Sequence, residues 1–149
     1  RAGRRERRGV VLVQTAHPED LTFARLRQHD LAGFAKEALS ERKTAGYPPY
    51  VRFALMRAES TQSGAPIRFL RSAALAGENL ASRSAVEIMT PVPSPMERRA
   101  GRFRAQLLVR SADERRFHRF LEDWVQGIEA SREAARVRWS LDVDPQEMY

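Results

Sequence analysis

Four arginines and no acid fall within residues 98 to 104, Arg-Arg-Ala-Gly-Arg-Phe-Arg, just before an alternating apolar run. A guanidinium presents a planar fork of donors that fits phosphate and carboxylate oxygens. The chemistry on offer is recognition of an anion rather than making or breaking of bonds. Composition points the same way. The net charge is +7, and Lys36 and Lys43 are the only lysines among 26 basic residues. That balance suits nucleic acid, an acidic protein tail or an anionic surface, and says nothing about fold.

Other reactive groups are sparse. The chain has no Cys, which excludes disulfides and thiolate zinc sites. His17, His29 and His118 are too far apart in sequence to cluster locally. There is no Gly-x-x-x-x-Gly-Lys-Ser/Thr phosphate loop and no Gly-x-Ser-x-Gly elbow. Asp142 and Asp144 share a strand face by spacing, but in Leu-Asp-Val-Asp-Pro they read as a solvated exit turn. No metal site is expected. His118 lies among Arg115, Arg116 and Arg119, on a surface that an acidic peptide could use. No apolar run approaches the roughly 20 residues of a membrane span. The start Arg-Ala-Gly-Arg-Arg lacks Met, and the apolar run after it is too short for a signal peptide. A cytoplasmic piece of a longer protein is expected, with no membrane partner.

The elements that must position the arginines follow from periodicity. Residues 10–14, Val-Val-Leu-Val-Gln, predict a short buried strand. Residues 17–44 predict two helical pieces ended by Gly46, and Tyr-Pro-Pro-Tyr then stops the helix. A domain boundary is placed there, between residues 1–45 and 46–149. From this point the pattern runs strand (50–58), helix (66–82), strand (85–90), proline-stiffened loop, strand (102–110), helix and strand (136–144). Ser111 and Glu114 fit a capping box before the last helix, whose stripe is Phe117, Phe120, Leu121, Trp124, Val125 and Ile128. The expected fold class is therefore α+β: a ferredoxin-like βαββαβ domain preceded by one strand plus helices.

In that fold one sheet face is covered by both helices and the other is bare. Alternation turns Phe103, Ala105, Leu107 and Val109 inward, with Val137, Trp139 and Leu141. It turns Arg102, Arg104, Arg136 and Arg138 outward, with Arg52 between them and Arg98 and Arg99 extending the surface into the loop. Such a plane would follow a phosphate backbone. It lacks the outward aromatics that an RNA-recognition sheet uses for stacking. Two other uses of the charge stay open: capture of an acidic peptide by the last helix, and a structural brace whose arginines pair internally.

Several stretches together resemble the PriA, or primosomal protein N′, family of replication-restart DNA helicases. Arg-Ala-Gly-Arg at the start is similar to the end of the last helicase motif. Gly-Val-Val-Leu-Val-Gln resembles the strand after it. Phe-Ala-Lys-Glu through Tyr-Pro-Pro-Tyr, the Pro-Val-Pro…Arg-Arg loop and Leu-Asp-Val-Asp-Pro also match, in order. The resemblance implies that residues 1–45 are the tail of helicase lobe 2. Residues 46–149 would then be the carboxyl-terminal domain of an ATP-dependent 3′→5′ helicase that recognises stalled forks and restarts replication by primosome assembly. Arg1 and Arg4 match the motif's arginines, which reach ATP held on the other lobe. No cofactor is expected in this segment. ATP with magnesium and zinc belong to the full-length family member. Implied partners are branched or forked DNA, the tail of the single-stranded-DNA-binding protein, and other primosome proteins. The sheet alternation makes Arg98, Arg99, Arg102 and Arg104 the expected DNA contacts, with Arg52, Arg136 and Arg138 in support, and Arg115, His118 and Arg119 are the expected peptide contacts. Thr90 stands where the family usually has Gly, and Ala105 where some relatives have an aromatic. The family's Arg/Gln pair on the last helix falls in register on Glu114 and His118, with Arg115 and Arg119 one residue on.

Overall fold

The computed structural model describes residues 9–146 and 148. They form two compact units that divide between Glu41 and Arg42.

The first unit is helical. Helix α1 spans Leu21–Gln28, and Asp20 caps it by accepting from the Thr22 amide at 2.8 Å. Helix α2 spans Leu31–Ala45, and its residues up to Glu41 belong to this unit. Asp30 precedes it and accepts from the Gly33 amide at 2.9 Å and from Arg25 Nη1 at 2.8 Å. The cap amide, and then Arg25, hold the Asp30 carboxyl below the ordinary carboxylate range. Asp30 therefore stabilises the α1–α2 turn fully above its unfolded value of about pH 4, and that support disappears as pH falls through the lower folded value. Helicity should drop on acidification in the wild type, and Asp30→Ala should be less helical at neutral pH and lose less on acidification. Circular dichroism across pH 2 to 6 reads both. Residues 10–14 are not a strand. Val10, Val11, Leu12 and Val13 are exposed and unpaired with any described strand. An apolar run becomes a buried strand only when neighbours take up its backbone groups.

The second unit carries the predicted ferredoxin-like topology. Strand β1 (Arg52–Ser60) leads to α3 (Ala65–Ser84), then β2 (Glu87–Ile88), β3 (Val92–Arg99), β4 (Arg102–Ser111), α4 (Glu114–Glu129), a 3₁₀ turn (Ala134–Arg136) and β5 (Arg138–Val143). The order β2-β4-β1-β5 is antiparallel throughout, with β3 also paired to β4. β1 thus lies between β4 and β5. Helix α3 has Gly64 before it in the left-handed region and Pro66 in its first turn. Helix α4 is capped by Asp113, which accepts from the Arg116 amide at 3.0 Å. The expected Ser111 cap does not form. Ser111 Oγ instead donates to the Ala85 carbonyl at 3.0 Å and accepts from the Asp113 amide.

Ala54, Met56 and Ala58 meet Val109, Leu107 and Ala105 across the β1–β4 ladder, and these six face the helices. Phe69, Leu70 and Ala73 from α3 and Phe117, Phe120 and Trp124 from α4 complete the core. The helices approach closely at Gly77, where a Cβ would lie 2.7 Å from Trp124 Nε1 and 2.8 Å from Ile88 Cδ1. Gly77→Ala gains about 1 kcal/mol of helix propensity. It should nonetheless lower stability by a net ~1–2 kcal/mol through overpacking. Urea denaturation measures the sign; a stabilised variant would refute the tight contact.

Candidate nucleic-acid interface

The prolines of residues 91–101 predict a loop, but Val92–Arg99 form the edge strand β3. An edge strand leaves the N–H groups of one side unpaired, so it tolerates prolines such as Pro93 and Pro95 that a central strand would not. The β3–β4 register shifts between Pro93 and Arg98, as at a bulge. The strands join through Ala100 and Gly101, both at positive φ (49° and 77°), as a two-residue hairpin turn requires. Arg99 sits directly opposite Arg102, and Arg98 opposite Phe103.

That register sorts the arginines. Arg104 has the parity of Arg102, and Ala105 faces the helices, so Arg99, Arg102 and Arg104 share the side away from them. Arg98 lies on the other side, its guanidinium carbon 5.4 Å from the centroid of the Phe103 ring. Phe103 pairs with Ser60, the last residue of β1, so residues 99 to 102 project past the sheet. Arg99 and Arg104 make no ion pair among the described residues, whereas Arg102 Nε is 3.9 Å from Glu59 Oε1.

The rest of the expected plane is corrected. Arg52 has the parity of Ala54 and lies on the helix side, where it donates to Glu114 Oε1 and Asp144 Oδ2, each at 2.9 Å. Those bonds, Glu114's first, raise its pKa. Arg52 therefore ties the start of α4 to the exit of β5. Arg136 belongs to the 3₁₀ turn before β5, so strand alternation does not place it. Arg138 is on the open side, 79% exposed, with Nη1 3.8 Å from Glu59 Oε1.

Across that side one cross-strand row reads Arg104, Glu59, Arg138 and the next reads Gln106, Arg57, Ser140. Arg57 was missed. It bonds Asp142 Oδ2 at 3.1 Å. Taking Ala54, Met56 and Ala58 as the core face places it outward by parity. Nor is this face bare throughout. Phe53 and Leu55 point to it yet are buried; Tyr47 packs on Phe53 with ring centroids 5.8 Å apart, and the Met148 carbonyl accepts from Gln106 Nε2 at 3.3 Å. The accessible cationic part is thus the half near the hairpin tip, around a depression of about 410 Å³ lined by Arg57, Glu59, Arg104, Arg138 and Ser140.

Arg115, His118 and Arg119 all lie exposed along α4, opposite its buried stripe. None is ion-paired among the described residues, whereas Arg116 pairs with Asp113 at 3.4 Å. Arg1 and Arg4 lie outside the described residues. Asp142 and Asp144 do not converge, one bonding Arg57 and the other Arg52. Among the described residues no three His, Asp or Glu side chains gather as metal ligands would. No helix among them is long and apolar enough to cross a membrane.

A ferredoxin-like α+β domain with an arginine-tipped hairpin on its edge is the class these elements define. The chain belongs to the family described as the primosomal protein N C-terminal domain, whose model matches residues 43–146. It is similar to the replication restart protein PriA of Haemophilus influenzae, at 30% identity over 99% of this chain and 20% of that protein. The PriA of Synechocystis is 34% identical over 74% of this chain and 13% of its own length. For Bacillus subtilis PriA the identity is 26% over 97% of this chain and 18% of that protein. The chain thus spans about a fifth or less of these relatives.

Proposed function

We propose that this chain is the carboxyl-terminal part of an ATP-dependent 3′→5′ DNA helicase that recognises stalled forks and restarts replication in the cytoplasm. The family and the names of the relatives support that reading. Residues 1–45 then end helicase lobe 2, with Arg1 and Arg4 serving ATP bound elsewhere, and residues 46–149 form the domain that meets DNA and partner proteins. Alone, this segment hydrolyses no ATP, because a phosphate loop is not among its residues. ATP with magnesium, and zinc, are bound by other parts of such a helicase.

The observation that carries the DNA contact is the shared side of Arg99, Arg102 and Arg104. None of the three donates a hydrogen bond to a carboxylate among the described residues. Desolvating them against phosphate therefore breaks no strong internal pair, unlike Arg52. Counterion release then supplies the affinity, with little choice of sequence. Forked DNA should bind with a log–log salt slope of about −3 or steeper, about −0.9 from each phosphate contact of these three arginines. Fluorescence anisotropy of a labelled fork across a salt series measures it, and a flat dependence would refute the contact. The exposed Arg115, His118 and Arg119 are the proposed seat for the acidic tail of the single-stranded-DNA-binding protein.

A further inference from the structure

We infer that the β3–β4 hairpin enters the major groove of a duplex arm tip first, with the Ala100–Gly101 turn toward the groove floor. This rests on the proposal that the domain binds DNA; it adds which element does so and which form of DNA it takes.

Three features of the hairpin carry the inference. Its cations are on both sides: Arg99, Arg102 and Arg104 on one, Arg98 on the other. A surface lying on one backbone needs only one charged side, whereas a ribbon between two phosphate walls needs both. Its tip is narrow. Ala100 is exposed, and a Cβ added to Gly101 would meet nothing within 4 Å, so no bulk precedes the arginines. Its thickness fits one groove only. A major groove of about 12 Å admits a two-stranded β-ribbon, whereas a minor groove is only about 6 Å wide.

The hairpin is also poorly equipped for single strands. Binding those without sequence choice relies on aromatic platforms for the bases. Phe103 is the one aromatic residue between Val92 and Ser111, and Arg98 already covers its ring. What remains is positive charge in a shape that needs a preformed groove.

Methylation interference separates the grooves. The 149-residue chain is mixed with a labelled fork carrying sparse dimethyl sulfate adducts, and bound and free DNA are compared. Guanine N7 adducts project into the major groove and adenine N3 adducts into the minor. Guanine N7 adducts within one duplex arm should be depleted from the bound fraction severalfold, because the added methyl group and positive charge meet the cationic tip on the major-groove floor, while adenine N3 adducts are neutral. Depletion at adenine N3, or uniform neutrality while salt-dependent binding persists, would overturn the groove assignment and leave DNA binding standing. Loss of salt-dependent binding altogether would instead defeat the proposal beneath it. Ala100→Asn is the control variant, because Asn-Gly is a favoured pair for this turn. It should keep the N7 pattern. A turn variant that folds and binds equally well with no N7 pattern would also count against insertion.

Discussion

Trp124→Ala should destabilise the Arg42–Tyr149 unit by about 3–5 kcal/mol, the range for removing a large buried aromatic. The indole is 1% exposed and stacks on Phe120 with centroids 5.3 Å apart. Its Nε1 donates to the Ala73 carbonyl at 2.8 Å, and its ring stands over Gly77. One side chain thus joins both helices across the tight contact at Gly77. Deleting it removes the apolar area, the stacking and the bond together, and it opens a cavity that the backbone at Gly77 cannot fill. A domain of this size is stable by only about 5–15 kcal/mol, so the loss should move the urea midpoint by a large fraction of its value. Trp124→Phe separates the terms. It keeps most of the ring and loses the N–H, so it should cost nearer 1 kcal/mol from the bond, plus a smaller packing term. If Trp124→Ala costs no more than Trp124→Phe, the indole is not what clamps α3 to α4.

The same helices show why much of this fold is legible before any coordinates. Phe117, Phe120, Leu121, Trp124 and Ile128 recur at helical spacing and are all buried. Ala105, Leu107 and Val109 alternate with Arg104, Gln106 and Arg110, a pattern interrupted at Leu108, so the side taken by Arg102 and Arg104 follows from β4 alone. Misreadings occur where a second partner overrides the pattern. β1 is apolar on both faces, because Tyr47 covers Phe53 from the side opposite the helices. Periodicity cannot rank two apolar faces, and Arg52 was placed on the wrong one. The prolines of residues 91–95 read as breakers because a sequence does not state which strand is an edge. Residues 10–14 illustrate the converse: a β-branched apolar run is a strand only if something pairs with it. Glu59 was missed for a different reason. It lies more than 40 residues from Arg102 in the chain, and only the β1–β4 register brings the two together.

Those placements set the other large effect. The triple variant Arg99→Ala, Arg102→Ala, Arg104→Ala should flatten the salt slope for forked DNA by nearly three units. Each lost phosphate contact removes about 0.9 of slope, or about eightfold in affinity at 0.1 M salt. Three contacts together amount to two or three orders of magnitude at that salt, with little loss near 1 M. The side chains sit at and beyond the end of the sheet, so thermal stability should hardly change. Two comparisons make the result specific to this surface. Arg52→Ala removes one positive charge as well, but that guanidinium is engaged by Glu114 and Asp144 on the helix side. Its slope should match the wild type. Glu59→Gln removes the carboxylate that Arg102 and Arg138 approach at 3.9 and 3.8 Å. Both cations then face the DNA without an internal competitor, so affinity at low salt should rise. A double variant Arg115→Ala, Arg119→Ala tests the rival surface on α4. If it lowers the fork's salt slope as much as the triple variant does, the basic character of the whole chain governs binding, and the hairpin holds no special place in it.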